Sequence, residues 1–177
     1  MERSWVETVR GWRRRSRRQD GEVTQTRGGV ATWISEALHP NALAVQLPTP
    51  AELRGYVVGV VLKRAGGAPL AIINVYVPPE PTQLREAILT GVTEMLAHAR
   101  GAHQAEEVVI GGDFNAAAHE GDRASPCSTD APYREWILAN HLSTADERAG
   151  AAVARRPPTF NSKRVGGGSS RVDDFLL

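Results

Sequence analysis

The sequence predicts an α/β domain with two packed sheets flanked by helices. Apolar runs at 56–62, 70–77 and 107–112 read as strands buried in a core, and a stripe recurring every three or four residues from 84 to 99 reads as an amphipathic helix. The order of these elements mixes hairpins with a strand–helix–strand crossover, which two sheets covered by helices satisfy.

From the N-terminus, Trp5, Val9 and Trp12 stand at helical spacing, followed by Arg13, Arg14, Arg15, Arg17 and Arg18. Residues 1–27 hold eight arginines against four acids, net +4, which leaves 28–177 at −3 within a total of +1. This segment is expected to be a basic, flexible arm, with a short amphipathic helix as the alternative; such a cluster suits nucleic-acid contact or a nuclear address. Globular sequence is expected from Gly28 to Leu177. The run Val30–Ile34 reads as a strand, and 43–47 alternates apolar and polar residues as a half-buried strand does.

The run 56–62 is apolar on both faces, and 65–69 supplies glycine and proline for a hairpin turn. The return strand 70–77 ends at Pro78-Pro79, since proline cannot donate to a ladder. Leu84, Ile88, Val92, Met95 and Ala99 form the helical stripe, with Thr82 placed to cap it and Gly101 to end it. A strand is expected at 107–112, and a helix at about 131–142 with Asp130 or Thr129 as cap. Thr159-Phe160 and 171–177 read as a closing strand pair joined by a turn around 166–168.

Hydrophobic residues make up 41% and charged residues 23% of the 177, which fits one globular domain and excludes a fibrous or wholly disordered chain. No apolar run approaches the roughly 18 to 20 residues of a membrane span, and no apolar segment follows the first arginines. An intracellular protein is expected. Cys127 is the only cysteine, which excludes an internal disulfide and a multi-cysteine zinc site.

Chemistry concentrates in three places. In Val108-Val109-Ile110-Gly111-Gly112-Asp113-Phe114-Asn115, an apolar strand delivers an acid and an amide two residues apart, and an extended chain points both the same way. A carboxylate can deprotonate water or bind a divalent cation, while an amide can donate to a phosphate oxygen. The alternative is an Asp turn closing the strand, with Asn115 left-handed. In Asn74-Val75-Tyr76-Val77-Pro78-Pro79, a second strand ends in alternate polar side chains, and the phenol of Tyr76 can donate to phosphate; the alternative is an aromatic at a core rim. In Ser170-Arg171-Val172-Asp173-Asp174, adjacent carboxylates must face opposite sides, so only one of Asp173 and Asp174 enters a given site. A surface pair of Arg171 with Asp173 is the alternative there.

Together with Gly28-Gly29-Val30-Ala31 and Thr159-Phe160, these segments resemble, in order and context, the signatures of the endonuclease/exonuclease/phosphatase family, the deoxyribonuclease I-like phosphodiester hydrolases. The resemblance implies a four-layered α-β-β-α sandwich, here expected to be incomplete at both ends. It implies that Asp113 activates water, Asn115 positions phosphate, Tyr76 donates to the reacting centre and Asp173 orients a histidine. It also implies that Asn74 and Arg171 contact substrate, and that Mg2+ or Mn2+ binds at Asp113 and Asn115. The family's metal-binding glutamate and closing Ser-Asp-His are not convincingly present. Glu7 is a faint candidate for the first, and His39, His98, His103, His119 and His141 all precede Asp173, so an inactive chain is one expectation.

Within the family the Tyr-Val-Pro-Pro and Ser-Arg-Val-Asp segments look most like the apurinic-type endonuclease domains of non-LTR retrotransposons. That implies DNA as partner and a reverse transcriptase domain in a longer polyprotein. The rival readings are a phosphatase or phosphodiesterase for small or lipid phosphates, for which Lys63, Arg64, Lys163 and Arg164 are the basic candidates, and an inactive nucleic-acid-binding remnant.

Overall fold

The computed structural model describes residues 5–9, 13–18, 21–26, 29–35, 42–123, 125–150, 160–161, 169–170 and 173–177. Its centre is a five-stranded sheet made of β5 (Ala42–Gln46), β6 (Val57–Arg64), β7 (Leu70–Tyr76), β8 (Glu107–Asp113) and β11 (Asp173–Leu176). In space the order is β11-β8-β7-β6-β5, with β7 and β8 parallel and the other pairs antiparallel. The parallel pair needs a crossover, which α1 (Gln83–His103) provides.

The strands alternate between two buried faces. Val57, Val61, Ala71, Ile73, Val75 and Ile110 join Ile88, Val92, Met95 and Leu96 of α1 in the main core. On the other face Val60 and Leu62 pack with Ile34 of β4 (Ala31–Ser35), with Leu70 and Ile72 against them. This double burial is why 56–62 and 70–77 read as nearly continuous apolar runs. β4 itself pairs antiparallel with β1 (Trp5–Val9), so helices, the large sheet and a second sheet are stacked in that order. A second helix, α2 (Asp130–Ala139), closes the β11 side; Trp136 Nε1 donates to Leu89 O at 3.1 Å and Thr93 Oγ1 at 3.0 Å, tying it to α1.

Several expectations require correction. Residues 5–9 form a strand rather than a helical turn; Val6, Thr8 and Val9 are β-branched, and pairing with β4 satisfies the backbone. The arginines of β2 (Arg13–Arg18) lie in a hairpin with β3 (Gly21–Thr26), Arg17 in register with Glu22. α1 starts as expected, with Thr82 Oγ1 accepting from Arg85 N, but runs past Gly101 to a left-handed Gln104 at φ 55°. α2 ends at Ala139, not 142, with His141 left-handed. A one-turn helix not foreseen in the sequence, α3 (Ala145–Arg148), follows; it is capped by Thr144 and Glu147.

The closing strands also pair otherwise than expected. β9 (Phe160–Asn161) pairs with β10 (Ser169–Ser170), whereas β11 pairs with β8. Leu176 is fully buried in the main core, a burial that a free hairpin would not provide. Thr159 and the glycines at 166–168 lie outside the described residues.

Candidate active site at the end of the parallel strand pair

Parallel strands release their chains in the same direction, and ligands of open α/β sheets gather at those carboxyl ends. Here β7 ends at Tyr76 and β8 at Asp113, and the two are in direct register. β11, running antiparallel, enters at the same end with Asp173 opposite Asp113. Phenol, acid and acid thus occupy one row across three adjacent strands. Strand alternation puts this row on the face turned towards β4. Asp174 points the other way, 2% exposed, and accepts from Tyr133 Oη at 3.3 Å, so only Asp173 belongs to the row.

The loops leaving β7 and β8 are joined by several hydrogen bonds. Val77 N donates to Asp113 O at 2.8 Å, and Asn115 Nδ2 donates to Val77 O at 2.9 Å. Asp113 Oδ1 accepts Asn115 N–H at 2.9 Å, and Asn115 is left-handed at φ 46°. The acid and amide are therefore neighbours through a tight turn, not through strand alternation, because β8 stops at Asp113. The turn that sequence offers as the bland alternative is the local geometry that presents the pair. Gly112, at φ 151°, is required here: a Cβ would stand 1.8 Å from Val75 O.

Arg85 is the residue that sequence reasoning missed. It is 4% exposed, and its Nη1 donates to Pro78 O at 3.0 Å and to Phe114 O at 2.9 Å, one carbonyl from each loop. The available signal was its place on the helix: with Leu89, Val92, Leu96 and Ala99 it continues the buried stripe of α1. Burial lowers its pKa, and Cys127, Tyr133 and Asp130 oppose that shift. Thr129 Oγ1 lies 3.2 Å from Asn115 O, attaching the segment before α2 to the same turn.

Two electrostatic shifts mark the row. Burial raises the pKa of Asp113; the Asn115 N–H opposes this and the Asp173 charge adds to it. Burial likewise raises Tyr76, with Asp113, Glu80 and Tyr56 contributing, although the ring is 37% exposed. Both shifts favour the protonated form of the group.

The remaining predicted residues divide. Asn74 is half-buried on the same face as Tyr76, but its Nδ2 donates to Ala31 O at 3.0 Å and Thr32 Oγ1 at 2.7 Å. That nitrogen is a strut to β4. Arg171 lies outside the described residues, as does His39, and nothing is described of the Glu7 side chain. The described histidines lie elsewhere: His98 and His103 meet edge to face at 5.4 Å, His119 lies 3.6 Å from Glu147, and His141 follows α2 with a left-handed backbone. Among the described residues no three acidic, histidine or cysteine side chains cluster as a metal cage. None of the described helices is long and apolar enough to cross a membrane.

The architecture is the deoxyribonuclease I-like fold of endonuclease/exonuclease/phosphatase domains. No protein-family model matches the sequence, and neither does any curated protein. Among solved structures it is similar to the endonuclease domain of TRAS1, a telomere-specific non-LTR retrotransposon, with a TM-score of 0.56 and 18% identity over 96% of this chain. It is also similar to the 3'-5' exonuclease NExo from Neisseria meningitidis, at TM-score 0.53 and 18% identity over 79% of this chain. The human Nocturnin catalytic domain gives 0.54 and 12% over 97% of this chain. The chain spans 66% of the TRAS1 domain, 68% of NExo and 60% of the Nocturnin domain.

Proposed function

We propose that this chain is a phosphodiester hydrolase domain acting on DNA, of the kind found in retroelement endonucleases. The observation that carries the reading is the row of Tyr76, Asp113 and Asp173 across three strands, beside the turn that presents Asn115. Asp113 takes a proton from the attacking water. Tyr76 keeps its proton and donates to a phosphoryl oxygen, where charge develops during in-line displacement. Asn115 fixes the Asp113 carboxylate through its own N–H.

The donor set suits Mg2+ or Mn2+. Asp113 and Asp173 supply two carboxylates, the number Mg2+ commonly takes alongside water and phosphate oxygens, and their repulsion is what a cation relieves. Bound there, such an ion would neutralise charge on the phosphate. Asn115 donates its Nδ2 to Val77 O, which leaves Oδ1 as the amide atom that could meet an ion.

The lipid-phosphate reading has less support: Arg64 stands at the opposite end of β6, donating to Glu107 Oε2 at 2.6 Å and to Ala68 O at 2.7 Å. The similarity to the TRAS1 domain and the arginines of β2 support DNA and a reverse transcriptase partner in the same polyprotein, with the basic segment as a nuclear address.

The test is a substrate panel of plasmid DNA, bis(p-nitrophenyl) phosphate and inositol phosphates, assayed with Mg2+ and with EDTA. Metal-dependent nicking that falls about 100-fold or more in Asp113→Ala supports the reading. Nicking indifferent to Asp113, or turnover of inositol phosphates alone, refutes it.

A further inference from the structure

Beside the row lies a cavity to which no role has been given. It has a volume of about 410 Å³ and is bounded by Gln46 at the end of β5, Thr49, Arg54 and Gly55 in the following loop, Val58 of β6, and Val30 at the approach to β4. That is within the range of small-ligand sites, roughly 300 to 1,000 Å³. Its position follows from strand register. Val57 pairs with Val75, and Tyr76 N donates to Tyr56 O at 2.8 Å, so Tyr56 continues the line that runs from Asp173 through Asp113 and Tyr76. Cavity and row therefore share one end of the sheet, and strand spacings of about 4.8 Å put them a few nucleotides apart along a bound chain.

Three features define what the cavity would take. The side chain of Arg54 is exposed and, like that of Arg100 at the far end of α1, makes no hydrogen bond or ion pair with a described residue, whereas Arg64, Arg85, Arg123, Arg134 and Arg148 do. Gln46 and Thr49 give the rim further hydrogen-bonding groups. Tyr56 and Tyr76 stack with ring centroids 6.4 Å apart and planes at 15°, an aromatic pair at the same end of the sheet; Tyr56 adjoins the cavity in sequence at Gly55 and Val57 without lining it. A cation, a polar rim and a stacking surface beside a phosphate-cleaving site suit an anionic, ring-bearing unit.

We propose that this cavity is a nucleotide subsite: it receives the sugar and base of a nucleotide in the strand whose scissile phosphate lies at Asp113, with Arg54 on an adjoining phosphate and the Tyr56 ring beside the base. The inference rests on the phosphodiesterase reading for the position of the scissile bond, but its test does not require turnover.

Binding of a fluorescein-labelled 12-nucleotide DNA duplex to the full chain is followed by anisotropy in EDTA, with salt varied. Arg54→Ala is expected to raise Kd about five- to tenfold at low salt and to reduce the slope of log K against log salt by roughly one. Thr49→Trp, which fills the cavity without changing charge, is expected to raise Kd with the slope unaltered. Arg148→Ala, on α3 beyond the opposite end of β11, is the control and should match the parent.

The subsite is overturned if the parent binds no duplex, if Arg54→Ala keeps both Kd and slope, or if Thr49→Trp binds like the parent. Arg54- and Thr49-dependent binding without nicking in Mg2+ would keep the subsite and remove the hydrolase reading. Asp113-dependent nicking with binding indifferent to Arg54 and Thr49 would do the reverse.

Discussion

Replacing Arg85 with methionine keeps the apolar stem that crosses the core and removes the guanidinium that joins the two loops. Pro78 O and Phe114 O each lose a charge-assisted donor, at 3.0 and 2.9 Å, the first half-buried and the second buried. An orphaned buried carbonyl costs about 1 to 3 kcal/mol, so the pair costs about 2 to 6. Against this stands relief of the desolvation that already lowers the Arg85 pKa, and of Nη2, which is buried without a partner. The expected net loss is about 2 kcal/mol, a factor of roughly 30 in the folding equilibrium. Urea unfolding followed by tryptophan fluorescence measures it. A second readout separates positioning from stability: amide hydrogen exchange at Asn115 and Val77, whose N–H groups bond Asp113 Oδ1 and Asp113 O, should accelerate more than exchange in the middle of α1. On the proposed activity, nicking would fall about 10- to 100-fold while the variant remains folded, because small misplacements of a catalytic group are that costly. A variant as stable as the parent, or one whose Asn115 and Val77 protection changes only in step with α1, would refute the account of Arg85.

Asp113→Asn keeps the oxygen that accepts the Asn115 N–H and removes a charge disfavoured by burial and by Asp173. Because the folded pKa is raised, ionised Asp113 destabilises the native state above that pKa. The variant should therefore be the more stable at pH 7, and the gap should close as pH falls through the folded value towards the ordinary one, measured by urea unfolding at several pH values. Gly112→Ala should unfold the chain or cost more than about 3 kcal/mol, since its Cβ would sit 1.8 Å from Val75 O, whereas Gly66→Ala, in open space at φ 73°, should cost about 1. The Cys127 thiol is lowered by the Thr129 hydroxyl and N–H, burial opposes, and Arg123 assists. Iodoacetamide should label it at pH 7 faster than a free thiol, and Thr129→Val should slow that labelling; equal rates would show that the one Thr129 hydroxyl proton goes to Asn115 O at 3.2 Å rather than to Sγ at 3.3 Å.

What could be read from the residues was what period and punctuation encode. The strands at 56–62, 70–77 and 107–112 are legible because they are buried on both faces, and α1, a helix of 21 residues, because its apolar stripe recurs from Leu84 to Ala99 behind a threonine cap. Tyr76 and Asp113 are legible for the same reason, each standing where an apolar run ends. The partner of 173–176 was not, since a hairpin with 159–160 and an antiparallel addition to β8 use the same residues and differ only in the long-range burial of Leu176. Asn115 was placed beside Asp113 by the wrong route: alternation assumes that the strand continues, and only the left-handed turn shows that it has stopped. Arg85 was hidden because a charged residue near a helix start reads as solvated, and its two carbonyl acceptors are separated by 36 positions in the chain.

The row itself argues against a purely structural role. Like charges directly opposite on neighbouring strands destabilise a sheet, and a carboxylate losing water destabilises it further. Asp113 carries both costs, with Asp173 in register on one side and Tyr76 on the other. A sheet selected for stability alone would put an apolar or oppositely charged residue at one of these positions. Here Arg85, the nearby cation that favours the ionised Asp113, directs its Nη1 to two carbonyls instead of forming a pair with the acid. Arg85 thus fixes the chain around Asp113 without neutralising it, which is the arrangement the proposed cation and phosphate site requires.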